Sequence, residues 1–173
     1  MEASAWLRLK ALGMDYLWLV AYLVVLLGGT MGFYYGVLGS MPEVSMMGTQ
    51  LISFFTTVFP VTLYYTWRES KAPYQTFGKH KVGISIHYEG KGNRTMKALV
   101  RNALKFLPWQ IAHIAVIRGI YEGFDSPLTL TLYAISILLP IVYVAMVFVR
   151  KDNRHLPDLA ARCRIVLRNE ESV

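Results

Sequence analysis

Three stretches without a charged residue dominate this chain: Tyr16 to Pro42, Val44 to Trp67 and Ser126 to Val149, of 27, 24 and 24 residues. A helix that crosses a bilayer needs about 20 predominantly apolar residues, and all three runs qualify. Only 17% of the 173 residues are charged and 54% are hydrophobic, against roughly 25% charged in an average globular chain. These numbers exclude an ordinary soluble domain. They point to an all-α integral membrane protein with a small β element. The first apolar run is too long for a cleavable signal peptide and lacks a small-residue cleavage site.

The pattern predicts helices over about 9–39, 45–67, 98–121 and 128–149, within a single membrane domain covering 1–173. Met41-Pro42-Glu43 form a turn, and Pro60 is expected to kink the second helix. The third segment carries Arg101, Lys105, His113 and Arg118. Twelve uncharged residues separate Lys105 from Arg118, about 18 Å of helix. Lys and Arg can extend that reach by snorkelling; the alternative is a helix lying on the surface.

Basic residues decide between the two. If all four segments span, 17 of the 18 Lys and Arg fall on one side, in the N-terminal segment, the loop 68–97, the entrance of the third segment and the tail 150–173. The positive-inside rule makes that side the cytoplasm. The expectation is therefore four spans, N-in/C-in, in a cell membrane. The net charge of +7 serves orientation and contact with anionic head groups rather than nucleic acid. Val82, Ile84, Ile86 and Tyr88 alternate with small or polar residues, as do Cys163, Ile165 and Leu167 with arginines, which predicts two strands of a small cytoplasmic sheet.

Individual residues carry two readings each. Asp15 begins the first uncharged run and needs a partner, since a bare charge in the membrane costs about 2.5–3.5 kcal/mol or more; Arg8, Arg101 and Lys105 are the basic candidates. Arg8 and Asp15 share a helix face with Ala11 between them. They form either a cation or proton site or a charge lock at the helix ends. Asp158 is expected to reach Arg8 or Arg101 when its strand docks near Ile84 and Ile86. His113, in line with Asn102, Lys105 and Trp109, is either a proton shuttle or hydrogen-bonded to Gln50 or a Thr. Gly28, Gly32 and Gly36 repeat every four residues and suit close helix packing.

Four segments together resemble the RDD family of prokaryotic membrane proteins, named for one Arg and two Asp. They are Arg8-Leu-Lys-Ala11-Leu-Gly-Met-Asp15, Thr76-Phe-Gly78-Lys79, Arg101-Asn102, and Leu156-Pro157-Asp158-Leu-Ala-Ala161 with the strand-like Arg164-Ile-Val166. The resemblance implies that Arg8, Asp15 and Asp158 are the naming residues. Pro157 stands where the family often has His, and Arg162-Cys163 where Gly-Thr is common. The resemblance also implies transport, including cation–proton exchange, for some members.

No phosphate loop, HExxH, GxSxG or CxxC is present, and a single cysteine, Cys163, allows neither an intrachain disulfide nor a multi-cysteine metal site. The expectation is a non-enzyme needing no cofactor and no metal. Two functions stay open. One is a transporter or transport component for a cation or small solute. The other is a non-catalytic accessory subunit of a membrane complex. Either works as a homo-oligomer or beside another membrane protein.

Overall fold

A computed structural model describes residues 1–168. Helix α1 spans Ala5–Gly36. The second apolar segment, Met46–Ser70, is built of α2 (Met46–Ser53), a π-helical turn (Phe54–Val58) and α3 (Phe59–Ser70). A one-turn helix α4 (Phe77–Lys81), strand β1 (Ile84–Tyr88), helix α5 (Arg94–Glu122), helix α6 (Pro127–Val149), a one-turn helix α7 (Leu156–Ala160) and strand β2 (Cys163–Leu167) follow. Three helical segments, 5–36, 46–70 and 127–149, are long and apolar enough to cross a membrane.

The helices start and stop where local chemistry dictates. Ser4, Ser45 and Asn93 cap α1, α2 and α5 by accepting backbone N–H groups, satisfying donors that have no partner inside the helix. Their capping moves the starts of α1 and α5 to Ala5 and Arg94, earlier than apolarity alone predicts. Ser70 and Gly36, rather than Trp67 and Gly39, end the second and first segments.

Two prolines tie the helices together. Pro60 has no N–H for the carbonyl of Thr56 one turn earlier. That oxygen instead accepts the Tyr22 hydroxyl of α1 at 2.5 Å. The π-helical turn directly precedes the proline, a common site of irregular geometry. Pro108 in α5 likewise frees the carbonyl of Leu104, which accepts the Tyr143 hydroxyl of α6 at 3.2 Å. In a membrane, where a freed carbonyl has no water, each tyrosine supplies the missing partner.

Helix α5 packs against both α3 and α6. Val58, Val61, Tyr65 and Phe106 are buried at the α3–α5 contact. The remaining elements form a cap at one end. β1 and β2 pair antiparallel, with Ile84 opposite Leu167 and Ile86 opposite Ile165. Their inner residues Ile84, Ile86, Cys163 and Ile165 bury against Ala3, Ala11 and Ala161. The Ala3 N–H donates to the Ile165 carbonyl at 2.9 Å, which draws the start of the chain onto the sheet. Both strands lie where the alternation predicts them.

Helix α1 touches the rest mainly through the cap, above all α4. Gly28, Gly32 and Gly36 are exposed, and a Cβ at any of them would meet nothing within 4 Å. Among the described residues no helix lies against the glycine face.

Tyr143→Phe should cost roughly 0.5–1.5 kcal/mol by leaving the Leu104 carbonyl unpartnered. In a Pro108→Ala background, where a backbone N–H returns, most of that cost should vanish. A double-mutant cycle on detergent-solubilised protein measures the coupling; equal costs in both backgrounds would exclude it.

Candidate functional site

The cap gathers charged residues from five separated parts of the chain. Glu69, at the end of α3, and Asp158, in α7, are both 0% exposed. Glu69 accepts from Lys79 Nζ at 2.6 Å, from Arg101 Nη1 at 2.7 Å and from Asn102 Nδ2 at 2.8 Å. Asp158 accepts from Arg101 Nε at 2.8 Å and from Arg8 Nη2. Arg101 therefore bridges two buried carboxylates. The other nitrogen of Arg8 donates to the Asn153 carbonyl. The expected pairing of Asp158 is met twice over, by Arg8 and Arg101 together.

Asp15 differs from expectation. Among the described residues it has no basic partner. Its Oδ2 accepts the Thr76 hydroxyl at 2.6 Å and its Oδ1 the Gly78 N–H at 2.7 Å. The first turn of α4 provides these donors because its N–H groups have no carbonyl inside the helix. Thr76 also caps that turn through Lys79 N–H. Gly78 lets α4 come this close: a Cβ there would lie 2.1 Å from the Ala11 carbonyl oxygen. Ala11, Asp15, Thr76, Gly78 and Lys79 thus act as one joint between α1, α4 and α3.

His155 caps α7, its Nδ1 accepting the Asp158 N–H at 3.2 Å while the Asp158 carboxylate faces the His155 N–H at 3.4 Å. Burial pushes the imidazole down to about 3, with Asp158 opposing and Arg101 and Arg8 adding to the effect. It stays neutral, so its closeness to the Asp158 carboxylate is not an ion pair. Burial raises the Asp158 carboxyl, but Arg101, His155 and Arg8 outweigh it and hold the group well below the usual carboxylate range. Burial pushes the Cys163 thiol up to about 12, which leaves it protonated and unreactive.

Two sequence-predicted residues stand apart from this lock. Lys105 pairs with no carboxylate among the described residues; its Nζ lies 4.3 Å from the ring centre of Tyr65. His113, in the second half of α5, meets the π-helical turn. Its Nδ1 faces the Ser53 hydroxyl at 2.6 Å and the Thr57 hydroxyl at 3.2 Å. The expected Thr is present; Ser53 takes the place foreseen for Gln50. Arg118 pairs with Glu122 one turn along. No three His, Cys, Asp or Glu side chains gather as a metal would require, among the described residues.

Glu69 is the site residue that sequence reasoning missed. A signal was available: a lone acid between Arg68 and Lys71, two residues past an uncharged run. Attention to basic residues as topology markers passed over it.

The arrangement defines a mainly helical chain of membrane type, with apolar helices fixed at one end by a buried ionic lock. The chain belongs to the RDD family, whose model matches residues 2–162. No curated protein and no solved structure matches it.

Gly78→Ala should strongly reduce folded protein, because a backbone oxygen cannot yield as a flexible side chain would. Asp15→Asn should destabilise by about 1–3 kcal/mol, since an amide cannot accept both the hydroxyl and the N–H. Folded yield by size-exclusion chromatography checks both, and a wild-type yield for either would exclude the joint. A third expectation concerns pH. Between 6.5 and about 3 the unfolded state carries a proton on His155 that the folded state does not. Stability therefore falls as pH drops through that window. The Asp158 contribution is complete above its ordinary carboxylate value and disappears only at lower pH. His155→Asn, which keeps a capping side chain, should flatten thermal stability measured from pH 6.5 to 4. An unchanged slope would assign the acid sensitivity elsewhere.

Proposed function

We propose that this chain crosses the cell membrane of a prokaryote four times, with both termini in the cytoplasm, and serves as a transporter or transport component for a cation or small solute. The fourth span is α5. Its 29 residues measure about 44 Å at 1.5 Å each, longer than a ~30 Å core. Arg101 of α5 meets Glu69 at the end of α3, while Tyr121 at its far end meets Thr49 at the start of α2. The two segments run antiparallel, which supports an even number of crossings. The segment around Ala3, the α4–β1 region and β2 share the cap, and the basic residues concentrate there.

The observation that carries the transport reading is His113. A titratable ring sits in the second half of α5, held by two hydroxyls at a π-helical turn. Ionisable residues inside membrane helices mark substrate and proton paths, and π-turns recur at functional sites. Glu69 and Asp158 belong to the ionic lock instead, and Asp15 to the joint between α1 and α4. The reading is non-enzymatic. Four helices give few walls for a pathway, so the working unit is an assembly, with the open α1 face towards a second copy or another membrane protein. That same face favours the second reading, an accessory subunit.

Reconstitution of the purified chain into vesicles holding a pH-sensitive dye tests the two. Under cation and pH gradients, the transport reading expects dye response from wild type and at least a tenfold slower response from His113→Gln at unchanged thermal stability. A silent wild type, or full activity in His113→Gln, refutes the role given to His113 and leaves the accessory reading. For topology, a cysteine replacing Gly123 should react with an impermeant thiol reagent outside intact cells and one replacing His80 should not. Equal labelling of both would overturn the four-span arrangement.

A further inference from the structure

Arg8, Lys79, Arg101 and Lys105 all line one cleft, together with Asp15. The ionic cluster around them contains four cations against three carboxylates, Asp15, Glu69 and Asp158. Three of the cations are consumed: Lys79 by Glu69, Arg8 by Asp158, Arg101 by both. Lys105 is the one of the four cations without a carboxylate partner among the described residues, Asp15 is held by Thr76 and Gly78, and the cluster as a whole keeps one excess positive charge. Among the described residues Lys105 donates no hydrogen bond, and its contacts are the faces of Tyr65 and Phe106, at 4.3 and 5.2 Å from the ring centres. Those rings attract a cation but do not neutralise it.

The cleft has a volume of about 450 Å³, within the range of small-molecule sites. It lies between α1, α5 and α6. One end is the ionic cap. From there it runs along the apolar helices, past Leu19, Trp109 and Val144, to Ser136. On α6 the lining extends from Phe148 back to Ser136, about 18 Å of helix. One leaflet of a ~30 Å hydrocarbon core is about 15 Å deep. The cleft is thus cationic at the interface and apolar for the depth of one leaflet.

We propose that this cleft holds one anionic phospholipid, with its phosphate on Lys105 and an acyl chain between α1 and α6. Basic pockets between membrane helices on the cytoplasmic side are suited to acidic head groups. A phosphate oxygen on an ammonium gives a charge-assisted hydrogen bond and brings the cluster to charge balance. A zwitterionic lipid brings its own cation and leaves the cluster unbalanced. The lipid also fills the space between α1 and α6, which otherwise do not pack closely. This site stands whether or not solute crosses the protein.

The test uses the full chain, delipidated in neutral detergent, with native mass spectrometry and thermal melting as readouts. Phosphatidylglycerol should bind one per chain and raise the melting temperature saturably, and phosphatidylcholine should do neither. Lys105→Gln should weaken phosphatidylglycerol binding at least tenfold. Lys105→Arg should retain it, and Lys91→Gln, an exposed lysine, should leave it unchanged. Val144→Trp fills the cleft without touching the charge and should weaken binding as well; it decides the matter if Lys105→Gln does not fold. Full binding by Lys105→Gln or by Val144→Trp would overturn the site. Equal binding of phosphatidylcholine would reduce it to an apolar groove. Saturation by millimolar inorganic phosphate alone, with no gain from the lipid, would make it a free-anion site and refute the lipid.

Discussion

Arg101 touches two carboxylates that are both removed from solvent, and the rest of the cap is arranged around that contact. Burying an ion costs several kcal/mol unless its hydrogen-bonding valences are filled. Here they are filled from every direction: Lys79 and Asn102 complete Glu69, while Arg8, the His155 N–H and the Cys163 thiol attend Asp158. The partners come from α1, α4, α5, the cap of α7 and β2. The helix ends of α1, α3 and α5, the turn α4 and the tail helix α7 can satisfy one another only in one mutual placement. Any slip of one element would leave a buried charge bare. The ion pairs therefore specify arrangement, which apolar packing in a bilayer does weakly because lipid is as apolar as leucine.

Below the cap a different interaction takes over. The two proline–tyrosine pairs link α1 to the π-helical turn and α6 to α5 through carbonyls that the helices themselves cannot satisfy. The prolines are thus sites of attachment rather than defects. The contrast with α1 is instructive. Beyond Tyr22 it has no such tie, and its glycines face open space. Apolar surface left uncovered is natural in lipid, but three glycines at four-residue spacing remove the side chains that would keep another backbone at a distance. The order is firm at one end of α1 and open at the other.

Much of the fold was legible from periodicity. The uncharged runs marked three helices because hydrocarbon tolerates no charge, and the alternation at residues 82–88 and 163–167 marked two strands because one face is buried. The one-turn helices α4 and α7 were not visible, since five residues are too few for a helical period. Their caps, Thr76 and His155, carry the evidence instead. The Asp15 contact was misjudged for a related reason. Charge pairing can be guessed from a list of lysines and arginines, whereas a carboxylate held by a backbone N–H and a threonine depends on where a turn lands. Gly78 was the available clue, since only a glycine tolerates that approach to Ala11. Arg162 shows the same dependence on backbone. It has φ +48°, the left-handed region that costs a non-glycine residue about 1–2 kcal/mol. A glycine would adopt this turn without that cost.

Glu69 and Asp158 hold their cationic partners with both oxygens, so neither can bind a passing cation without breaking contacts that hold the cap together. Among the described residues, two titratable side chains of α5 stand outside the lock: His113, which meets two hydroxyls, and Lys105, which meets aromatic faces. They lie on the same helix, eight residues apart, or about 12 Å along its axis. Lys105 sits at the end of the cleft nearest the cap, and His113 lies deeper, on the side of α2. The helix that looked least able to span the membrane, because of its charges, is the one that bears both groups free to interact with something outside the fold. Its polar residues weaken it as a hydrophobic segment and give it the side chains that apolar helices lack.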